Sequence, residues 1–264
     1  MSTLEVRNAS VSPWGDTLLK DLCFTVEPGD VLALAGPNGA GKSTLLGMLS
    51  GDIAPSSGSV HFRTEALADL PARERATRLA VLPQLSLLNF PYTVEEVVLL
   101  GRIPHDTGRQ ANLRIVEKLL ATFDLQHLRH RVYTQLSGGE KQRTQLARVF
   151  AQIEGEGDLE GSLLLLDEPT SALDLAHQQQ VVEAIGALAR RGCGVVLVIH
   201  DINLAVTVSA RVLVMHDGIQ LARGAHGQVL TPALFREVFG VEAAVSANPR
   251  TGTPLVLIQG ATPC

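Results

Sequence analysis

Apolar residues follow three rhythms along this chain of 264 residues. Over residues 1–30 they alternate with polar ones, at Leu4 and Val6 and again at Leu22, Phe24 and Val26, with turn-forming Pro13-Trp14-Gly15-Asp16 and Glu27-Pro28-Gly29-Asp30 breaking the pattern. A period of two predicts antiparallel strands with one face on a core. The second rhythm is a short unbroken apolar run, at 31–35, 163–166, 195–199 and 212–215, which predicts buried strands. From about 92 to 152 the spacing becomes helical. There Thr93 and Glu96 stand ahead of Val97-Val98-Leu99-Leu100, a capping box that opens a helix, and helical spacing returns at 112–120 and 140–151. Further helices are expected at 44–50, stopped by Gly51, and at about 175–190. A turn at Ser56-Ser57-Gly58-Ser59 precedes a short strand at 60–62, and Asp217-Gly218 joins two strands as a tight hairpin. Thr231-Pro232 opens a last helix that ends at Gly240.

Strands alternating with helices argue for an α/β fold with a mostly parallel sheet. The expected organisation is a core with an antiparallel β part, from about 1–85 and 160–264, and an inserted α-helical subdomain at about 86–152. The acidic, glycine-rich stretch 155–161 reads as a solvated connector.

Composition narrows the function classes. With 45% hydrophobic residues the chain can bury a substantial core, and a formal net charge of -5 argues against nucleic acid as the main partner. No uncharged apolar segment approaches the roughly 18 residues of a membrane span. The N-terminus lacks a basic start followed by an apolar stretch, and Cys23, Cys193 and Cys264 have no paired or metal-ligand spacing. A soluble, intracellular chain in a reducing compartment is the expectation. The histidines other than His200 show no ligand spacing, so no haem or metal site of their own is expected.

The strongest chemical signal is Gly36-Pro37-Asn38-Gly39-Ala40-Gly41-Lys42-Ser43-Thr44, set between the predicted strand 31–35 and the predicted helix 44–50. Strand, glycine loop and helix form the context a P-loop needs. Its glycines allow backbone N–H groups to turn around a phosphate, and the helix N-terminus adds partial positive charge. Lys42 is placed to reach the β- and γ-phosphates and the Ser43 hydroxyl to ligate Mg²⁺. A nucleoside triphosphate with Mg²⁺ is the expected ligand. Asp167 and Glu168 emerge at the end of the four-leucine run, the sheet edge where ligands bind in α/β folds. Asp167 suits Mg²⁺ and Glu168 suits polarisation of the attacking water. Ser137 and Glu140 form another capping box, so Gly138 and Gly139 offer a second anion site, which has an obvious use only if it serves a neighbouring copy.

In combination these motifs resemble the ATP-binding subunits of ABC transporters over nearly the whole chain. The P-loop is followed by Pro83-Gln84 (similar to the Q-loop), the signature Leu136-Ser137-Gly138-Gly139-Glu140, Walker B at 163–168, the D-loop Ser171-Ala172-Leu173-Asp174, and His200 before Asp201. The resemblance implies a P-loop NTPase fold and a head-to-tail homodimer. Each ATP then lies between the P-loop of one copy and Ser137, Gly138, Gly139, Glu140 and Asp174 of the other. It also implies that Trp14 stacks on adenine, that Gln84 joins Mg²⁺ and water to the helical subdomain, and that His200 contacts the γ-phosphate and holds Glu168 in line. Implied partners are two copies of a membrane permease subunit and, indirectly, a periplasmic or extracellular substrate-binding protein. The implied location is peripheral, on the cytoplasmic face of the inner (plasma) membrane.

Residues 90–105 are similar to the iron-siderophore, vitamin B12 and haem importer group. Within it, Tyr133-Thr134-Gln135-Leu136-Ser137, the 155–161 loop and Ser171-Ala172-Leu173-Asp174-Leu175-Ala176-His177-Gln178 look most like haemin importer ATPases. The alternatives are a siderophore or cobalamin importer ATPase and, more distantly, a non-transport ABC ATPase. The cargo itself rests on family analogy.

Overall fold

The alternating N-terminal stretch forms two antiparallel strands, β1 (Leu4–Val11) and β2 (Leu19–Val26), with Leu4 opposite Val26 and Val11 opposite Leu19. The fold is that of a computed structural model, in which residues 2–84, 88–155 and 157–261 are described, Trp14 by its backbone only. After β3 (Val31–Ala35) come α1 (Lys42–Ser50), β4 (Ser57–Phe62), β5 (Glu65–Ala66), α2 (Ala72–Arg78) and β6 (Leu79–Leu82). Three helices follow, α3 (Val94–Leu100), α4 (Arg109–Thr122) and α5 (Gly138–Ile153), and the chain then returns through β7 (Leu163–Asp167), α6 (Leu175–Arg190), β8 (Gly194–Val198), α7 (Ile202–Val208), β9 (Arg211–His216) and β10 (Ile219–Ala225). A closing hairpin, β11 (Val241–Ala247) and β12 (Pro254–Ala261), stands apart as a two-stranded sheet.

Ten strands make one sheet in the order β5-β4-β1-β2-β10-β9-β3-β8-β7-β6. Its centre is parallel: β9, β3, β8, β7 and β6 pair in turn, each parallel to the next. The all-apolar runs are buried on both faces, as the sequence predicts, and alternate residues feed two cores. Leu164 and Leu166 of β7 join the cluster under α3 to α7, while Leu163 and Leu165 join the one that contains Leu45, Leu46 and Leu49 of α1. The antiparallel strands were expected to cover the core. They do so as a continuation of the same sheet, joined where Lys20 of β2 pairs with Ile219 of β10, and Leu4, Val6, Phe24 and Val26 share the α1 core.

Both capping boxes form. Thr93 and Ser137 accept the N–H groups of Glu96 and Glu140, and each glutamate carboxylate takes back the N–H of its cap at 2.7 Å. Gly51, at φ +80°, ends α1 as the sequence predicts. The expected last helix is a short turn at 232–234 running into a wide π-type turn at 235–239, closed by Gly240 at φ +65°. Strand β6, helices α2 and α7, and the closing hairpin go beyond the elements read from the sequence. Among the described residues no helix is long and apolar enough to cross a membrane. Cys193 is buried, which pushes its thiol up to about 12, and Cys23 is exposed; Cys264 and Glu156 of the 155–161 connector lie outside the described residues.

Candidate nucleotide site

The loop between β3 and α1 turns because two of its glycines hold conformations closed to other residues. Gly36 has φ +148°, and a Cβ there would lie 2.2 Å from the Met215 carbonyl oxygen. Gly41, at φ +94°, is the N-cap of α1, and a Cβ would press on Leu19 at 2.8 Å. The loop thereby sits flush on β9 and β2, with Asn38 and Gly39 exposed at its crest and Ala40 buried beneath. Lys42 folds back across it, and its Nζ donates to the carbonyl oxygens of Gly36 and Pro37 at 2.8 Å each. Burial pulls the Lys42 ammonium below the usual lysine range, against the opposing pull of Asp167 and Glu168.

Next to Lys42 in sequence, the Ser43 hydroxyl donates to Asp167 Oδ2 at 3.0 Å, joining the start of α1 to the end of β7. Asp167 is 6% exposed, and burial raises its carboxyl above the usual aspartate range despite that hydrogen bond. Glu168 leaves the strand in the left-handed region at φ +49°, a conformation that strains a non-glycine residue by about 1–2 kcal/mol. The turn is held from several sides: Glu168 N donates to Val198 O at 3.1 Å, and Gln142 of α5 donates to Pro169 O at 3.1 Å. Strain at a site pinned this way aims a side chain. Here it aims the carboxylate at His200, whose Nε2 lies 2.6 Å from Glu168 Oε1, and at Gln84, whose Nε2 donates to the same oxygen at 3.2 Å. Asn38, Gly39, Gly41, Lys42, Ser43, Thr44, Gln84, Asp167, Glu168, Val198 and His200 together line a cleft of about 430 Å³.

The sequence-predicted residues thus divide into two groups. The P-loop, Gln84, Asp167, Glu168 and His200 converge. Ser137, Gly138, Gly139, Glu140 and Asp174 do not line the cleft. Ser137 and Gly138 are exposed at the head of α5, and a Cβ on Gly139 would touch Ala172 O at 3.0 Å, so the signature turn packs beside the 171–174 turn. Asp174 is the N-cap of α6, accepting the His177 N–H at 2.9 Å, and is followed by Leu175 at 83% exposure. The Trp14 side chain lies outside the described residues. Gln142, to which the sequence analysis gives no role, is the residue that grips the Glu168–Pro169 turn.

A cleft with a lysine-crossed glycine loop, a serine–aspartate pair and a carboxylate held by histidine and glutamine is built for a nucleoside triphosphate. The model of the family described as ABC transporter matches residues 19–171. The chain belongs to the ABC transporter family. Similar curated proteins include the hemin import ATP-binding protein HmuV of Pseudomonas aeruginosa, 47% identical over 97% of this chain and 100% of its own length. The protein of that name from Gloeobacter violaceus is 48% identical over 93% of this chain and 90% of its own length. Among solved structures, an ATP binding subunit of an ABC transporter superposes with a TM-score of 0.78 at 26% identity, covering 92% of this chain and 95% of its own. A chain assigned to the metal-chelate type of ABC transporter, in an inward-facing conformation, also gives 0.78, at 28% identity over 98% of this chain and 97% of its own. As an ABC ATPase, the protein binds ATP and couples its hydrolysis to transport.

Proposed function

We propose that this chain powers uptake of haem through a membrane permease, as a head-to-tail homodimer that closes on ATP. The haem assignment is supported by the near full-length identity to proteins named for hemin import. Peripheral docking of the chain on two permease subunits, at the cytoplasmic face, follows from that reading, with a substrate-binding protein acting on the far side of the membrane. Uptake assays with the permease, offering haem against a ferric siderophore and cobalamin, test the cargo; transport of either alternative with haem refused overturns it.

One observation carries the dimer. The chemistry of a single copy is split between a cleft that holds the phosphate and water-positioning groups and a capped glycine turn at 137–139 outside it, exposed at Ser137 and Gly138. Free N–H groups at the start of a 16-residue helix attract an anion, and the facing copy's γ-phosphate is the anion to hand. In this reading Gly36 to Thr44 hold the ATP phosphates, and Ser137, Gly138, Gly139, Glu140 and Asp174 complete the site of the partner. Trp14 stacks on the adenine. The helices between β6 and β7 act as a helical subdomain that relays closure to the permease.

The residues also fit Mg²⁺. Ser43, Asp167 and Gln84 offer a hydroxyl, a carboxylate and an amide carbonyl, the hard oxygen donors that ion prefers. A buried carboxylate whose ionisation is disfavoured would be relieved by a cation. When bound, Mg²⁺ neutralises charge developing on the phosphates. Glu168 orients and polarises the attacking water, and His200 holds Glu168 in line. Lys42, which now donates to two loop carbonyls, turns to the β- and γ-phosphates.

A further inference from the structure

We propose that Asn203 is a positioning residue for His200, and that the closing hairpin β11–β12 reaches the catalytic cleft through it. This builds on the role given to His200 above. The His200 side chain is 51% exposed, so packing does not fix its ring. Its 2.6 Å contact with Glu168 depends instead on where the backbone of 200–203 sits. That backbone opens α7, a helix of seven residues capped by Asp201, whose Oδ1 accepts the N–H groups of Asn203 at 2.9 Å and Leu204 at 3.1 Å.

Asparagine is a weak helix former, and nothing in α7 itself asks for one at this place. Its side chain bonds outside the helix. Nδ2 donates to Val256 O at 3.0 Å, and Val256 N donates to Oδ1 at 2.9 Å. One planar amide therefore takes both backbone groups of a single β12 residue, satisfying part of an otherwise unpaired strand edge. Two parallel hydrogen bonds fix rotation as well as distance, which a single bond does not. The anchor is firm: Val256 is 4% exposed and stands opposite Val245, and both it and Ala243 of β11 belong to the core under the helices. The first turn of α7 is thus bolted to a seated strand, and the bolt lies three residues from His200. Ala205, Val206 and Val208 keep the body of α7 in the core, but without the clamp its first turn can shift against β12. A shift of about 1 Å at the ring loses the contact with Glu168, and misplacement on that scale lowers turnover by up to about a hundredfold.

The test compares Asn203→Ala, His200→Ala and the double variant in the full chain, by single-turnover phosphate release, the ATP dependence of turnover, and ATP-binding stoichiometry. Asn203→Ala is expected to lower kcat by about tenfold to a hundredfold, with KM for ATP within about twofold of wild type and one ATP bound per chain. In the His200→Ala background it is expected to add nothing. Asn203→Asp keeps the acceptor for Val256 N–H, loses the donor to Val256 O, and should fall between Asn203→Ala and wild type. If His200→Ala alone leaves kcat intact, the role of His200 is wrong, whatever Asn203 does. If His200→Ala lowers kcat but Asn203→Ala matches wild type, or the double variant loses the product of the two single losses, the positioning role is overturned. Should Asn203→Ala fail to fold, Asn203→Asp decides, and wild-type turnover in it is the refuting result.

Discussion

Replacing Glu168 by glutamine removes one negative charge from the cleft and almost nothing else. The side chain keeps its length, and the φ of +49° is no harder for Gln than for Glu, so fold stability should change by less than about 0.5 kcal/mol. An amide oxygen can still accept from His200 Nε2 and Gln84 Nε2, the two contacts Glu168 makes at 2.6 and 3.2 Å. The P-loop contacts of Lys42 and the Ser43–Asp167 bond do not involve it. Repulsion between Glu168 and Asp167, one of the causes that raise the Asp167 carboxyl, also disappears. ATP affinity should therefore hold or tighten. What is lost is the ability to draw on the proton of the attacking water. Such assistance contributes about 10² to 10⁴ in rate, or about 2.7–5.4 kcal/mol of barrier. Phosphate release in a single turnover should fall by that factor, while light scattering with ATP present should report a dimer that persists. Release within tenfold of wild type, or a monomer under saturating ATP, would refute the assignment.

Other outcomes follow from the same geometry. Lys42→Ala should abolish measurable ATP binding in calorimetry, because the loop loses the cation folded across it; wild-type affinity would contradict this. Ser137→Arg should leave ATP binding intact and remove hydrolysis, since the bulk enters the partner's site. Such a variant mixed in excess with wild type should suppress turnover, as its heterodimers carry damaged sites. His226 is 4% exposed with Ser209 Oγ 3.0 Å from its Nε2, and burial depresses its pKa. The unfolded chain then binds more protons than the folded one, so this group's stability is present above about pH 6.5 and is lost as pH falls toward the depressed folded value. His226→Gln should flatten the fall in unfolding midpoint below that pH, and an unchanged slope would show that His226 is not its source.

The residues that meet in the cleft were legible because its pieces are local. The glycine loop, the four leucines before Asp167 and the run before His200 each pair a strand pattern with chemistry at its end, and an α/β sheet brings such ends to one edge. Helix α6 spans Leu175–Arg190 as its spacing predicts, since Asp174 caps it and its apolar stripe is unambiguous. Strand β6 is not legible in the sequence because four residues carry too little pattern, and the preceding α2 buries none of its residues and so shows no apolar face. The closing hairpin is masked by alanines in β11 and a leading proline in β12. Continuity of the sheet hangs on one pairing, Lys20 with Ile219, between residues some 200 positions apart. Likewise the strained backbone at Glu168 and the Asn203–Val256 clamp exist only once distant segments meet.

Turnover per molecule against protein concentration tests the shared site most directly. If each copy holds half of two sites, specific ATPase activity must fall with dilution, in step with the loss of dimer seen by light scattering on the same samples. Activity per chain that stays constant where only monomer remains would contradict the account.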